Sequence, residues 1–167
     1  MPEIVQQQDH RREFIDTLVE LAEEDDRVCL IVPDVGFNYV STFSEKFPKR
    51  FFNTGVTEAF TTIMAAAMAI DGWRPFVYSM INFVLFRPGE MVRNAIVFHD
   101  APVVLLGVEG GPAYKFLGVG HGLLHKKEDF NFCDNIGLAW SHPQTNEEVH
   151  GAVKYAYESG HPRYIRL

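Results

Sequence analysis

In "NTGVTEAF" (53–60), Glu58 stands between a glycine-containing turn and the long apolar run "FTTIMAAAMAI" (60–70). A charged group at the mouth of a buried helix is costly unless something pairs with it. Two readings are open: a favourable charge at a helix N-terminus, or a carboxyl whose partner comes from elsewhere. A second group of reactive side chains lies in "GVGHGLLHKKED" (118–129). Gly118, Gly120 and Gly122 permit close backbone approach or positive φ, and His121, His125 and Glu128 supply polar chemistry. The stretch is neither a phosphate-cradling GxxxxGKS/T loop nor a GxGxxG turn. His121 and His125 are four apart, as on a metal-binding helix face, but the glycines argue against a helix. No HExxH and no Cys or Asp cluster supports a metal there, so no metal-ligating residues are expected. The pair contacts a substrate or faces solvent. No Ser–His–Asp order, GxSxG elbow or cysteine beside a base is present. Taken singly, these residues make a binding half-site more than a complete active site.

The composition narrows the classes. The chain has 167 residues, 47% hydrophobic and 22% charged, which fits one globular domain with an ordinary core. The 14 Phe serve a core or a subunit interface, where aromatics are enriched. A net charge of −7, with Lys and Arg scattered apart from "HRR" (10–12), argues against a nucleic-acid partner. No apolar run reaches the length of a membrane span, and "MPEIVQQQDHRRE" is no signal peptide. Cys29 and Cys133 form no metal spacing or disulfide framework. A cytoplasmic protein with reduced thiols is expected.

The elements that must position these residues alternate. Helical spacing marks 10–24, 39–47 (stopped by Pro48), 57–70, about 83–98 with Pro88 near its first turns, and 145–159, which opens on a Thr145/Glu148 capping box. Strands are expected at 27–32, 50–53, 74–79, 102–108, 137–141 and "RYIRL" (163–167), with a Gly-rich loop over 109–129. Strand runs without polar alternation are buried on both faces. The fold class is therefore α/β, three layers (α/β/α) with a mostly parallel sheet. Residues 1–9 are expected to be loose and 10–167 to form the domain. Ligands of such folds sit at the carboxyl ends of strands. Glu58, the 109–129 loop and "PDVG" (33–36), with Asp34, all follow strands and so share one rim.

Together the ordered segments "RVCLIVPDVG", "FPKRFFNTGVTEAF", "AAAMAIDGWRPFVYSMINF", "GVGHGLLHKKED", "NEEVHGAVKYA" and "PRYIRL" resemble the pyrimidine-binding domain of thiamin-diphosphate enzymes of the transketolase group. The resemblance spans about Arg11 to Leu167. "PDVG" and "NF" also resemble the β-type subunits of 2-oxo-acid dehydrogenases, which share the domain. The resemblance implies that Glu58, matching the Glu of "GxxE", hydrogen-bonds N1′ of the cofactor's aminopyrimidine. It then favours the imino tautomer that takes the thiazolium proton, and a raised carboxyl pKa from partial burial would suit that role. It implies an aromatic ring stacked on the pyrimidine, with Phe83 first, then Tyr78 and Phe86, and adds Asp34 to the cofactor-binding set. His125 matches a histidine near the reacting centre and Glu128 the glutamate that follows. His121 stands where transketolases carry an Asp that contacts the donor, and "LL" replaces "PT". This change points to a donor other than the usual sugar phosphates, such as a keto acid or another anionic group.

Family members hold the diphosphate and Mg²⁺ through a "GDG…N" motif of a second domain, and no "GDG" occurs in these residues. The resemblance therefore implies one half of a split enzyme. Its partner subunit would carry the diphosphate and metal site, with two copies of each chain and small-molecule substrates. The small residues Ala59, Ala65, Ala66, Ala67 and Ala69 suit either a buried central helix or close approach at that interface. The leading expectation is a two-component transketolase-like transferase passing a ketol or acyl unit to an aldehyde. The alternatives are a subunit of a 2-oxo-acid decarboxylase or dehydrogenase, and a non-catalytic regulatory module.

Overall fold

The computed structural model describes residues 9–110 and 112–167. Six strands follow one another as β1 (Val28–Val32), β2 (Phe51–Asn53), β3 (Arg74–Met80), β4 (Val104–Val108), β5 (Ala139–Ser141) and β6 (Arg163–Arg166). They form one sheet in the order β2-β1-β3-β4-β6-β5, with every pairing parallel. Leu30 lies between Phe51 and Phe76, and Leu105 between Val77 and Tyr164. All five residues of β1 are buried, as its unbroken apolar run requires.

Helices cover both faces. On one side α1 (His10–Glu24), α2 (Phe37–Lys46) and α6 (Asn146–Ser159) enclose Phe14, Leu18, Phe43, Phe76, Leu106 and Val153. On the other, α3 (Glu58–Ile70), the segment 82–97 and α5 (Glu128–Ile136) enclose Ile31, Ala65, Val77, Ile96, Leu105 and Cys133. Each fully buried Leu, Ile or Phe contributes about 1.5–3 kcal/mol. Asp9 caps α1 by accepting from the Arg11 and Arg12 amides, so the described chain is ordered helix from that cap onward. Residues 1–8 of the expected loose N-terminus lie outside the described residues.

Three local readings change. The helix expected over 83–98 is broken into a π-turn (Asn82–Phe86), the single turn α4 (Gly89–Met91) and a second π-turn (Val92–Val97). Pro88 has no N–H to continue a regular ladder, and the Arg87 and Phe98 amides reach back five residues, to Asn82 O and Arg93 O, each at 2.9 Å. The loop over 109–129 contains 3₁₀ turns over Pro112–Gly120 and ends in α5, a helix the sequence reading did not foresee. The capping box of α6 is also displaced. Thr145 Oγ1 accepts from Glu148 N, but the Glu148 carboxylate accepts from Gln144 N at 2.7 Å, one residue earlier than the motif prescribes.

From β1 the chain moves outward to β2, then returns past β1 to β3 and β4. The carboxyl ends of β1 and β3 therefore flank the point where strand order reverses, the place such sheets use for ligands.

Candidate functional site

A cavity of about 690 Å³ opens at that reversal. Its walls come from the turn after β1 (Asp34, Val35, Gly36), the end of β3 (Tyr78, Ser79, Met80) and the end of β4 (Val108, Glu109, Gly110), with Phe83 and His121 beside them. Gly36 has φ +82°, and a Cβ there would lie 2.7 Å from the Tyr78 ring. A Cβ on Gly110 would lie 2.0 Å from the His121 carbonyl oxygen, so only glycine lets this loop close on itself. Asp34, itself at φ +56°, donates its amide to Asn53 Oδ1, which also accepts from Gly55 N at 3.0 Å. One asparagine at the end of β2 thus ties the "PDVG" turn to the turn that delivers Glu58.

Glu58 is the first residue of α3, and its side chain is only 11% exposed. Its partner is the Arg87 guanidinium, with Nη1 donating to Oε1 at 2.6 Å. The same guanidinium lies over the face of Phe83, 4.1 Å from the ring centroid. Phe83 meets His121 edge to face, centroids 5.1 Å apart. Glu58, Arg87, Phe83 and His121 therefore form a continuous line from the mouth of α3 to the cavity wall. Arg87 follows Phe83 by four residues, and the wider winding of the π-turn over Asn82–Phe86 sets both on one side.

The other expected aromatics go elsewhere. Tyr78 is buried with its ring stacked on Phe14 at 5.6 Å, on the α1 side of the sheet, while also lining the cavity. Burial pushes its phenol well above the ordinary value. Phe86 points into the core, edge-on to Phe132 at 5.9 Å. His125 is exposed just ahead of α5 and does not line the cavity. Glu128 accepts the Leu124 amide at 2.7 Å, so its carboxylate folds the loop back on itself.

Several residues that hold the site were not foreseen. Asn82 donates to Val119 O and Gly122 O, at 2.9 and 3.1 Å, pinning the glycine-rich loop to the π-turn that carries Phe83. Arg166, at the end of β6, donates to the Glu109 carboxylate at one end of the loop and to Lys126 O at the other, the latter at 2.8 Å. It also reaches Asp129, which is fully buried and accepts from the Tyr164 hydroxyl at 2.8 Å. Burial, then the Asp129 carboxylate, pushes the Tyr164 phenol far up, so it remains a donor. Burial, aided by Arg166, holds the nearby His142 imidazole below its usual range. Ser79 Oγ and His121 Nδ1, both in cavity-lining residues, are buried without a hydrogen-bond partner among the described residues. Arg11, over the Tyr39 ring at 4.2 Å, adds a cation to the wall. Among the described residues, no three His, Cys, Asp or Glu side chains cluster as a metal site.

Outside the cavity, α3 divides by face. Ala65, Ala66 and Ala69 are buried in the domain. Phe60, Ile63 and Ile70 are exposed, as is Phe98, at 80%. A groove of about 380 Å³ runs between Ile63, Ala67 and Ile70 on one side and Met91, Asn94 and His99 on the other. No helix of the described residues is long and apolar enough to cross a membrane.

Comparison with known proteins places the geometry in a family. Residues 6–167 match the family described as "Transketolase, pyrimidine binding domain". The chain is 33% identical over 158 residues to one subunit of the apulose-4-phosphate transketolase of Phocaeicola vulgatus, covering 94% of this chain and 50% of that protein. It is 32% identical over 154 residues to 1-deoxy-D-xylulose-5-phosphate synthase of Desulforudis audaxviator, covering 90% of this chain and 23% of the relative. The chain thus spans half or less of these relatives. A solved structure titled "Split gene transketolase, inactive beta4 tetramer" superposes with a TM-score of 0.82 at 27% identity, over 95% of this chain and 50% of the other.

Proposed function

From a chain that belongs to the transketolase pyrimidine-binding domain family, we propose that it is the pyrimidine-binding subunit of a two-component, thiamin-diphosphate-dependent transferase. It moves a ketol or acyl unit between a donor and an aldehyde acceptor. One observation carries the reading: a nearly buried carboxylate, Glu58, shares a planar hydrogen-bond donor with the face of Phe83. An aminopyrimidine needs the same two contacts, an acceptor at its edge and an aromatic surface beneath it, so these residues fit the cofactor. Bound, thiamin diphosphate supplies the carbanion chemistry that no side chain offers.

The chain's own residues then have separate tasks. Glu58 holds a proton at N1′ of the pyrimidine, and Phe83 stacks against the ring, worth about 0.5–1.5 kcal/mol beyond area burial. His121, whose Nδ1 has no partner among the described residues, and the exposed His125 meet the substrate. Glu128 fixes the loop between these histidines and α5 through the Leu124 amide. Asp34 and Tyr78 close the cavity wall.

The cofactor's diphosphate and its Mg²⁺ are held by a partner subunit bearing "GDG…N", two copies of each chain assembling in the cytoplasm. The subunit naming of the Phocaeicola relative and the tetramer title of the split-gene structure support a multi-chain enzyme. So does the exposed apolar strip of α3. The test is recovery of tagged chain from its native lysate with thiamin diphosphate and Mg²⁺ present. A stoichiometric partner carrying "GDG…N" is expected. Its absence, with no cofactor binding by the chain alone, would move the non-catalytic reading ahead.

A further inference from the structure

We propose that Arg87 sets the affinity of this site for its cofactor by occupying the pyrimidine's place until the cofactor displaces it. The inference rests on the reading of Glu58 and Phe83 given above. Three observations carry it. The Glu58 carboxylate is paired with Arg87 at 2.6 Å, in a setting where only 11% of the glutamate side chain meets solvent. The same guanidinium covers the face of Phe83 at 4.1 Å. Arg87 itself is 47% exposed, so its side chain has solvent to move into.

A guanidinium is flat, stacks on aromatic faces and presents N–H groups along its edge. An aminopyrimidine is also flat, stacks on the same face and turns a ring nitrogen toward the same carboxyl. The two cannot occupy Phe83 and Glu58 together. The backbone makes the exchange a side-chain event. Arg87 closes the π-turn with its amide on Asn82 O at 2.9 Å, and Pro88 begins the next turn. That amide bond can stay in place while the guanidinium swings out. Until then Arg87 keeps Glu58 from being a buried charge without a donor. The cost of opening the pair and uncovering the ring is subtracted from cofactor affinity.

The experiment uses the complex of the full chain with its diphosphate-binding partner. Thiamin diphosphate is titrated calorimetrically, with Mg²⁺ present, into wild type, Arg87→Ala, Arg87→Lys and Glu58→Ala. Arg87→Ala is expected to bind roughly threefold to thirtyfold tighter, from the combined worth of a partly exposed ion pair and a cation–π contact. Arg87→Lys, which keeps the charge but not the flat stack, falls between. The gap between Arg87→Ala and wild type narrows at high salt, because screening weakens the pair being opened. A purely structural arginine would produce neither the gain nor its salt dependence. If Arg87→Ala binds no tighter than wild type while Glu58→Ala loses affinity, the site reading holds and the role of Arg87 is refuted. If Glu58→Ala, made in the Arg87→Ala background so that no pair is opened, binds as Arg87→Ala alone does, the site reading fails and this inference with it.

Discussion

Arg166→Met should loosen the site loop and destabilise the chain at the same time. Arg166 is 6% exposed and serves three acceptors: the Glu109 carboxylate, Lys126 O and Asp129. Their losses are unequal. Glu109 is about half exposed and can turn to water, so its share is small. Asp129 has no exposure and would keep one donor among the described residues, the Tyr164 hydroxyl. Removing one partner of a buried ion pair costs about 3–5 kcal/mol. The retained Tyr164 bond puts the expected loss near the lower end, about 3 kcal/mol, a large part of the stability of an ordinary domain. Urea unfolding measures it. Trypsin reports the loop through the exposed Lys126 and Lys127, whose cleavage should accelerate because the Lys126 carbonyl loses its anchor. In Arg166→Met/Asp129→Asn the buried charge is gone, and about 1 kcal/mol or more of the loss should return. A single variant within about 1 kcal/mol of wild type, cleaved at the wild-type rate, would refute the clamp.

Further expectations follow from the same contacts. Asp25 accepts from Arg27 Nε and Nη2, and from the Tyr157 hydroxyl at 2.8 Å; these bonds, against the opposing effect of burial, hold its pKa well below the ordinary carboxylate range. A depressed pKa adds stability that is fully present above the unfolded value of about 3.9 and lost as pH falls toward the folded one. Asp25→Asn should therefore be less stable than wild type at neutral pH by about 1 kcal/mol, a gap that closes in acid unfolding titrations; a gap independent of pH would contradict this. Burial pushes the Cys29 and Cys133 thiols up to about 12, so neither should react with iodoacetamide in the native chain at mildly alkaline pH, and both should react after unfolding. Mass spectrometry reads the difference, and rapid native labelling of either would overturn it. Phe98→Asp, at a side chain 80% exposed, should leave the fold within about 0.5 kcal/mol of wild type yet abolish recovery of the partner subunit. Sedimentation velocity on the pair detects the loss, and an intact complex would remove this face from the interface.

The fold was legible where periodicity and punctuation agreed. The unbroken runs at 27–32 and 102–108, the Phe14–Leu18–Leu21 stripe and the Thr145 cap were sufficient for a layered α/β sheet. Departures occur where a single atom decides. Pro88 withholds one amide, and the chain answers with π-turns that bring Phe83 and Arg87 onto one side, which no 3.6-residue pattern announces. The helix α5 carries its own sequence signals: acids at 128 and 129, Phe130, Cys133 and Ile136 at helical spacing, and Gly137 in the left-handed region at its end.

The same division holds for the site. Glu58 was conspicuous because a carboxyl beside an apolar run asks for a partner. Arg87 was not conspicuous, because an arginine before a proline looks like any solvated charge. Arg166, at the end of β6, and Asp129, in the first turn of α5, lie 37 residues apart in sequence and meet only in the folded chain. Long-range ion pairs of this kind leave no local pattern. Among the aromatics, the family resemblance offered three candidates for stacking, and backbone direction separated them: Phe83 beneath Arg87, Tyr78 onto Phe14, Phe86 onto Phe132.

Cofactor activation by Glu58 is tested most directly by turnover of the reconstituted pair with Glu58→Gln. The amide keeps the shape and the hydrogen-bonding capacity but cannot share a carboxyl proton with the pyrimidine. Donor-dependent product formation at saturating thiamin diphosphate should fall by about 10²-fold or more, the usual worth of a positioned acid–base group, while the variant still assembles with its partner. An assembled Glu58→Gln complex that turns over at the wild-type rate would contradict the central claim.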